Sequence, residues 1–151
     1  MDTYSIEKEC INSKDAYSLI NELSETLQNI TGDSGRKSFD ISDLDNPRSL
    51  FVVARNVVGE AIGCGALRPY CENIAEIKRI YARYKSKGIG TQIISYLEEQ
   101  AKTLGYSRIW LETRIINKKA VTFYEKSGYY RIENYGKYIN NDEAICFEKI
   151  L

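Results

Sequence analysis

Two stretches of this sequence bring together groups capable of chemistry. The first runs Ala75-Glu76-Ile77-Lys78-Arg79-Ile80-Tyr81-Ala82-Arg83-Tyr84-Lys85-Ser86-Lys87-Gly88-Ile89-Gly90-Thr91. Its alternating first half predicts a strand, its glycine pair a tight turn, and the residues beyond it a helix. Glycine lets backbone approach a ligand closely, and unpaired N–H groups at a helix start point outward at the positive end of the dipole. Five basic residues, Lys78, Arg79, Arg83, Lys85 and Lys87, fall within ten positions with no acid among them. A pyrophosphate is the natural guest of such a turn. The second stretch is Asn117-Lys118-Lys119-Ala120-Val121-Thr122-Phe123-Tyr124-Glu125-Lys126-Ser127-Gly128-Tyr129. Asn117 and Tyr124 are two helical turns apart and share a face. Each stretch also has a plainer reading: a turn that serves geometry alone, and a capping asparagine with a packed tyrosine.

The rest of the composition removes competing chemistries. The chain has no histidine, so Ser-His-Asp and Cys-His catalysis and an HExxH zinc site are excluded. Acid–base work falls to Glu, Asp, Tyr, Lys or Cys. Cys10, Cys64, Cys71 and Cys146 form no CxxC pair, which argues against a zinc cluster or a thioredoxin-type motif and for reduced thiols. Cys64 and Cys146 sit among apolar strand residues as small hydrophobes. With 21 basic and 21 acidic residues the formal charge is zero, against general nucleic-acid binding. The longest apolar run, Leu50 to Ala54, is far too short for a membrane span, and the first residues lack an apolar leader. A cytoplasmic location is expected.

Those groups need elements to hold them, and 151 residues at 43% apolar is one domain's worth. Tyr4 to Ile11 reads as a strand, followed by a Ser13-capped helix carrying Ala16, Leu19, Ile20, Leu23 and Leu27 at helical spacing. Residues 31–37 form a loop, and a short helical turn near Ile41 to Leu44 ends before Pro47. Leu50 to Arg55, Ala61 to Leu67 and Asn73 to Arg83 predict an antiparallel meander. Even alternation along the third strand puts Glu76 and Ile80 on one face. Gly88 opens a helix of roughly 17 residues, about 25 Å long, that Gly105 stops. Ser107 to Thr113 is a strand, Asn117 to Ser127 a helix, and Tyr129 to Glu133 and Glu143 to Ile150 two closing strands. The order β-α-(α)-βββ-α-β-α-ββ describes an α+β fold, a mixed, mostly antiparallel sheet with helices on both faces.

Three phosphate-binding patterns compete for the glycine turn. A Walker A loop ends in Gly-Lys-Ser/Thr, whereas this turn ends Gly-Ile-Gly-Thr. A dinucleotide fingerprint needs a third glycine where Ile93 stands, and an opening βαβ unit that is absent. Lys85-Ser86-Lys87-Gly88-Ile89-Gly90 resembles the coenzyme A loop of the Gcn5-related N-acetyltransferases, Gln/Arg-x-x-Gly-x-Gly/Ala after the fourth strand. Asn117 to Tyr129 is similar to the same family's Asn-x-x-Ala-x-x-Phe-Tyr-Glu-Lys-x-Gly-Phe/Tyr signature, nearly position for position. Tyr135 to Tyr138 and Ala144 to Lys149 resemble a bacterial subfamily, and the likeness covers essentially the whole chain. Two departures stand out. The loop after Ala82 is about two residues shorter than usual, and lysine and serine replace the usual Arg/Gln and Gly.

The resemblance implies a single acyl-CoA N-acyltransferase domain over residues 1–151. It implies direct transfer of acetyl from acetyl-CoA, with no metal, to a small-molecule or peptide amine. In this family the fourth strand splays from the fifth and the pantetheine arm lies in the gap. Carried over, Ile80, Tyr81 and Ala82 line that arm, with Ile80 and Ala82 giving backbone hydrogen bonds and the amide near Ile80 polarising the thioester. Amides of Lys85, Ser86, Lys87, Gly88, Ile89, Gly90 and Thr91 hold the pyrophosphate, and the nearby basic residues meet the remaining charge. Asn117 and Tyr124 complete the cofactor site, Tyr124 protonating the departing thiolate. Glu76 is the expected proton acceptor. Arg36, between the first helices, is placed to recognise a carboxylate, and Tyr129, Tyr130, Tyr135 and Tyr138 either line an acceptor pocket or cover the sheet. Homodimers are common in the family; no nucleic-acid or membrane partner is implied. A noncatalytic acyl-CoA-binding module of the same fold is the alternative reading.

Overall fold

The computed structural model describes residues 4–85 and 87–151. Strand β1 (Ser5–Lys8) leads into helix α1 (Lys14–Thr31), where the Ser13 hydroxyl accepts a 3.1 Å bond from the Ala16 N–H. Ala16, Leu19 and Leu23 recur on one side of α1 and are buried. The short helical turn expected near Ile41 is the 3-10 turn Ile41–Asp45, and a further 3-10 turn, Arg36–Ser38, begins within the segment expected to be loop. The Ile41–Asp45 turn is closed by reciprocal capping between Asp40 and Asp43.

Strands β2 (Leu50–Arg55), β3 (Ala61–Pro69) and β4 (Ile74–Ala82) form the expected meander. Helix α2 (Ile89–Thr103), strand β5 (Arg108–Arg114), helix α3 (Lys118–Lys126), and strands β6 (Tyr130–Ile132) and β7 (Ala144–Ile150) follow. The seven strands make one sheet in the order β1-β2-β3-β4-β5-β7-β6, with β4–β5 the parallel pair.

Strand alternation divides the core. Val52, Leu67, Ile77, Ile109 and Phe147 face one side, against Ile93, Ile94 and Leu97 of α2 and the apolar stripe of α3. Phe51, Val53, Cys64 and Ala66 face the other, under Ala16 and Leu19 of α1. Beyond α1's cover on that second face, Tyr135, Tyr138, Ala144 and Cys146 form a smaller cluster with Trp110. Burial on this scale, at roughly 25 cal/mol per Å² of apolar surface, is the main force holding the layers together.

Two irregularities in β4 shape everything that follows. First, β4 and β5 pair only at Ile74–Arg108, Ala75–Ile109 and Glu76–Trp110, although β4 continues to Ala82 and β5 to Arg114. The strands therefore splay, and a gap opens in the sheet. Second, Ala66 lies opposite Lys78 while Cys64 lies opposite Tyr81, so Gly65 faces both Arg79 and Ile80. Arg79 absorbs the extra residue with φ 59. The bulge overturns the even alternation expected of this strand. Ile80 joins Ile77 on the α2 side, where its Cδ1 is 2.7 Å from the position a Cβ on Gly65 would take. Glu76, Lys78 and Tyr81 face the other way, and Glu76 and Ile80 do not share a face.

Candidate active site

The gap between β4 and β5 is the mouth of a cavity of about 750 Å³. It passes through the sheet, reaching Leu27 and Ile30 of α1 on one side and Phe123 and Tyr124 of α3 on the other. One end meets the turn between β4 and α2. The other is framed by the loop carrying Asp33 and Lys37 and by Lys137, Tyr138 and Asn141.

At the first end, Gly88 adopts φ 73 as the N-cap of α2 and has no side chain to occupy the exposed N–H groups. That left-handed geometry is open to glycine and costly for most other residues. Lys85, Gly88, Ile89, Gly90 and Thr91 line the cavity; Lys87 does not, and its carbonyl accepts from the Tyr4 hydroxyl at 2.9 Å. Ser86 lies outside the described residues. The Arg83 N–H donates to the Ile62 carbonyl on β3. Alternation then turns the backbone groups of Ala82, and of Ile80 before it, toward the gap. The Tyr81 side chain leaves the gap: its hydroxyl donates to Glu22 at 3.0 Å, and burial raises the phenol's pKa to about 12.

The basic run does not act as one patch. Arg83 is held by Glu22 at 2.7 Å and by Glu60, which raise its pKa. Arg79 turns to α1 and donates to Ser24 Oγ at 3.1 Å. Lys78 is buried on the far side of the bulge and bonds the Tyr138 hydroxyl. Lys85 remains at the turn, and Lys119 from α3 joins the lining.

Asn117 caps α3, accepting from the Ala120 N–H at 3.3 Å, and also lines the cavity. Tyr124 lies on the same wall. Burial, with the Glu112 charge adding, pushes its phenol well above the usual range, so the hydroxyl stays protonated throughout neutral and mildly alkaline pH.

Glu76 is placed elsewhere. Its carboxylate accepts from Arg68 Nε at 2.9 Å and from the Tyr135 hydroxyl at 2.5 Å, with Lys78 Nζ 3.7 Å away. It is buried and does not line the cavity. The carboxylate that does is Glu112 on β5. Its side chain is 10% exposed, and its Oε2 has no hydrogen-bond partner among the described residues; Arg114 Nε stands 3.8 Å away. Burial raises its pKa against the opposing pull of Lys78 and Arg114. Composition and motif spacing did not single out Glu112. Its signal in the sequence was an acid on the strand leading into Asn117, and only the splay makes it face open space.

Other expectations sort simply. Arg36 donates to Asn21 Oδ1 at 3.0 Å and is not among the residues that line the cavity, although its neighbours Gly35 and Lys37 are. Of the four tyrosines, Tyr138 lines the cavity, whereas Tyr129 bonds Glu98, Tyr130 bonds Glu148 and Tyr135 bonds Glu76. Cys64 and Cys146 are buried and free, and burial lifts the Cys64 thiol to about 12.

A mostly antiparallel sheet split beside its parallel pair, with a glycine-started helix at the mouth of the split, is the architecture of acyl-CoA N-acyltransferases. The model of the Acetyltransferase (GNAT) family matches residues 16–129. The chain belongs to that family and is an acetyl-CoA-dependent acyltransferase. It is 29% identical over 136 residues to an IAA acetyltransferase of Azospirillum brasilense, covering 88% of each chain. Its fold is similar to that of a candidate acyl-CoA N-acyltransferase from Klebsiella pneumoniae, with a TM-score of 0.83, 22% identity and coverage of 99% and 98% of the two chains. A GNAT family acetyltransferase from Elizabethkingia anophelis, solved with acetyl-CoA bound, superposes over 100% of both chains with a TM-score of 0.74 at 19% identity.

Proposed function

We propose that the protein moves the acetyl group of acetyl-CoA directly to a primary amine of a small molecule or peptide, with both substrates bound at once. The observation that carries this reading is the through-sheet cavity, because it brings Glu112, whose Oε2 has no hydrogen-bond partner among the described residues, and a protonated phenol, Tyr124, to the same space as the Gly88 turn. The acetyl-CoA held by the Elizabethkingia relative supports the choice of donor. Backbone amides of Lys85 to Thr91 receive the pyrophosphate, and the groups of Ile80 and Ala82 receive the pantetheine arm. Asn117 borders the same passage.

An alkylammonium has a pKa of about 10 and cannot attack until it loses a proton. Glu112 accepts that proton. Glu76, saturated by Arg68 and Tyr135, is not the acceptor in this proposal. The amine nitrogen then bonds the thioester carbonyl carbon, whose oxygen is stabilised by the amide near Ile80. As the C–S bond breaks, the nitrogen sheds its second proton to solvent, leaving the neutral amide, and Tyr124 gives its proton to the departing thiolate. The phenol is then reprotonated from solvent, to which Glu112 returns the first proton. An acetylated cysteine is not part of this route, because Cys64 is buried and its thiol is held protonated.

Thiol release from acetyl-CoA, followed across a panel of amines with mass spectrometry of the protein, tests the proposal. Release that depends on an amine, with an unmodified protein, is expected. Release that proceeds through an acetylated protein overturns direct transfer.

A further inference from the structure

The half of the cavity away from the Gly88 turn carries an unusual charge balance. Glu112 is its one acid without an ion partner within hydrogen-bonding distance; Asp33 is paired with Arg114 at 3.1 Å. Of the cations that line this part, Lys78 is shared with Glu76 at 3.7 Å and Arg114 with Asp33 and Glu143, whereas Lys37, Arg79 and Lys137 have no carboxylate within ion-pair distance among the described residues. Arg79 is the most telling. Its guanidinium is buried, yet its recorded partners are a hydroxyl, Ser24 Oγ at 3.1 Å, and a carbonyl, Ser34 O at 3.4 Å. A buried guanidinium without an anion is costly, and this one also sits on a left-handed backbone, φ 59, at the bulge. Lys137 Nζ reaches across to the Lys37 carbonyl at 3.4 Å, bringing the two lysines together at the rim.

Resting on the amine-transfer reading, we infer that the acceptor is a primary amine that also bears an acid group, the ammonium meeting Glu112 and the anion meeting Arg79 and the Lys37–Lys137 rim. A carboxylate and a phosphate-type anion share the chemistry these cations recognise. A plain alkylamine leaves the cations unanswered, and a diamine adds a second positive charge beside them.

Binding and turnover separate this inference from the function it rests on. The full chain saturated with CoA is titrated calorimetrically with four three-carbon amines: β-alanine, 3-aminopropylphosphonate, propylamine and 1,3-diaminopropane. At least one acid-bearing amine binds tenfold or more tightly than propylamine, and the better of the two identifies the anion. In the double variant Lys37→Ala/Lys137→Ala, two exposed positions, that preference falls at least fivefold with CoA affinity unchanged. Equal or tighter binding of propylamine or the diamine overturns the inference, as does a double variant that keeps the full preference. Thiol release from acetyl-CoA is then measured with the same amines. Selective binding of an acid-bearing amine without thiol release upholds the recognition and overturns the transfer.

Discussion

Tyr135 donates a 2.5 Å hydrogen bond to Glu76, and Arg68 occupies the other carboxylate oxygen. The acid on β4 that points away from Ile80 is thereby locked into a buried network, and the proposed mechanism assigns proton acceptance to Glu112 on the other side of the gap. The roles of the two acids are separable by substitution.

Glu112→Gln is expected to lower kcat/KM by about 10²–10⁴-fold, the general acid–base range. The active form of Glu112 is the carboxylate, and burial raises its pKa. The wild-type rate therefore climbs with pH through a value above the ordinary carboxylate range, and that limb disappears in the glutamine variant. Glu76→Gln lowers thermal stability and leaves the limb in place. A pH profile of kcat/KM for both variants decides between them; an unchanged limb in Glu112→Gln removes it from the reaction.

Tyr124→Phe keeps acetyl-CoA affinity and loses about 10²–10⁴-fold in kcat. Because burial and Glu112 raise the phenol's pKa, the wild-type enzyme shows no loss of rate on the alkaline side near pH 10 from this group. Stopped-flow thiol release together with CoA titration checks both halves, and wild-type turnover in the phenylalanine variant rejects the acid role.

Gly65→Ala tests the bulge. A Cβ there would lie 2.7 Å from Ile80 Cδ1 and 2.9 Å from Ile93 Cγ2. Overpacking of this kind costs about 1–3 kcal/mol, and each kcal/mol lowers Tm by about 2–4 °C in a chain of this size. Because Ile80 is displaced, the KM for acetyl-CoA rises as well. Scanning calorimetry and steady-state kinetics read the two effects, and a variant with unaltered Tm contradicts the packing.

Glu22 ties α1 to the end of β4 through Arg83 and Tyr81. The hydrogen bond from Arg83 leads in holding its pKa below the usual carboxylate value. A depressed folded pKa stabilises above the unfolded value and is lost as pH falls through the folded one. Glu22→Gln should therefore reduce stability at pH 7 and differ little from wild type near pH 3. Urea unfolding at the two pH values measures the difference; the same deficit at both would mean that charge is not the cause.

Much of the architecture was legible in residue spacing. The helical repeat of Ala16, Leu19 and Leu23 foretold α1 with its Ser13 cap, and the β-branched runs foretold the meander. Gly88 and Gly128 marked real boundaries. These features depend on local periodicity and backbone freedom, which a sequence displays directly. The short turn expected near Ile41 is present as a 3-10 turn, whereas the one at Arg36–Ser38, within the segment expected to be loop, was not legible.

The sequence by itself determined the elements, their order, the glycine start of α2 and the shared face of Asn117 and Tyr124, because each follows from residues close together in the chain. The tertiary structure decided which charged groups meet the cavity. One extra residue at Arg79 inverts the facing of β4 beyond it, and three-residue pairing with β5 opens the sheet where Glu112 lies. Both depend on how distant strands pair, and the same alternation read without its partner strands assigns Glu76 and Ile80 to one face.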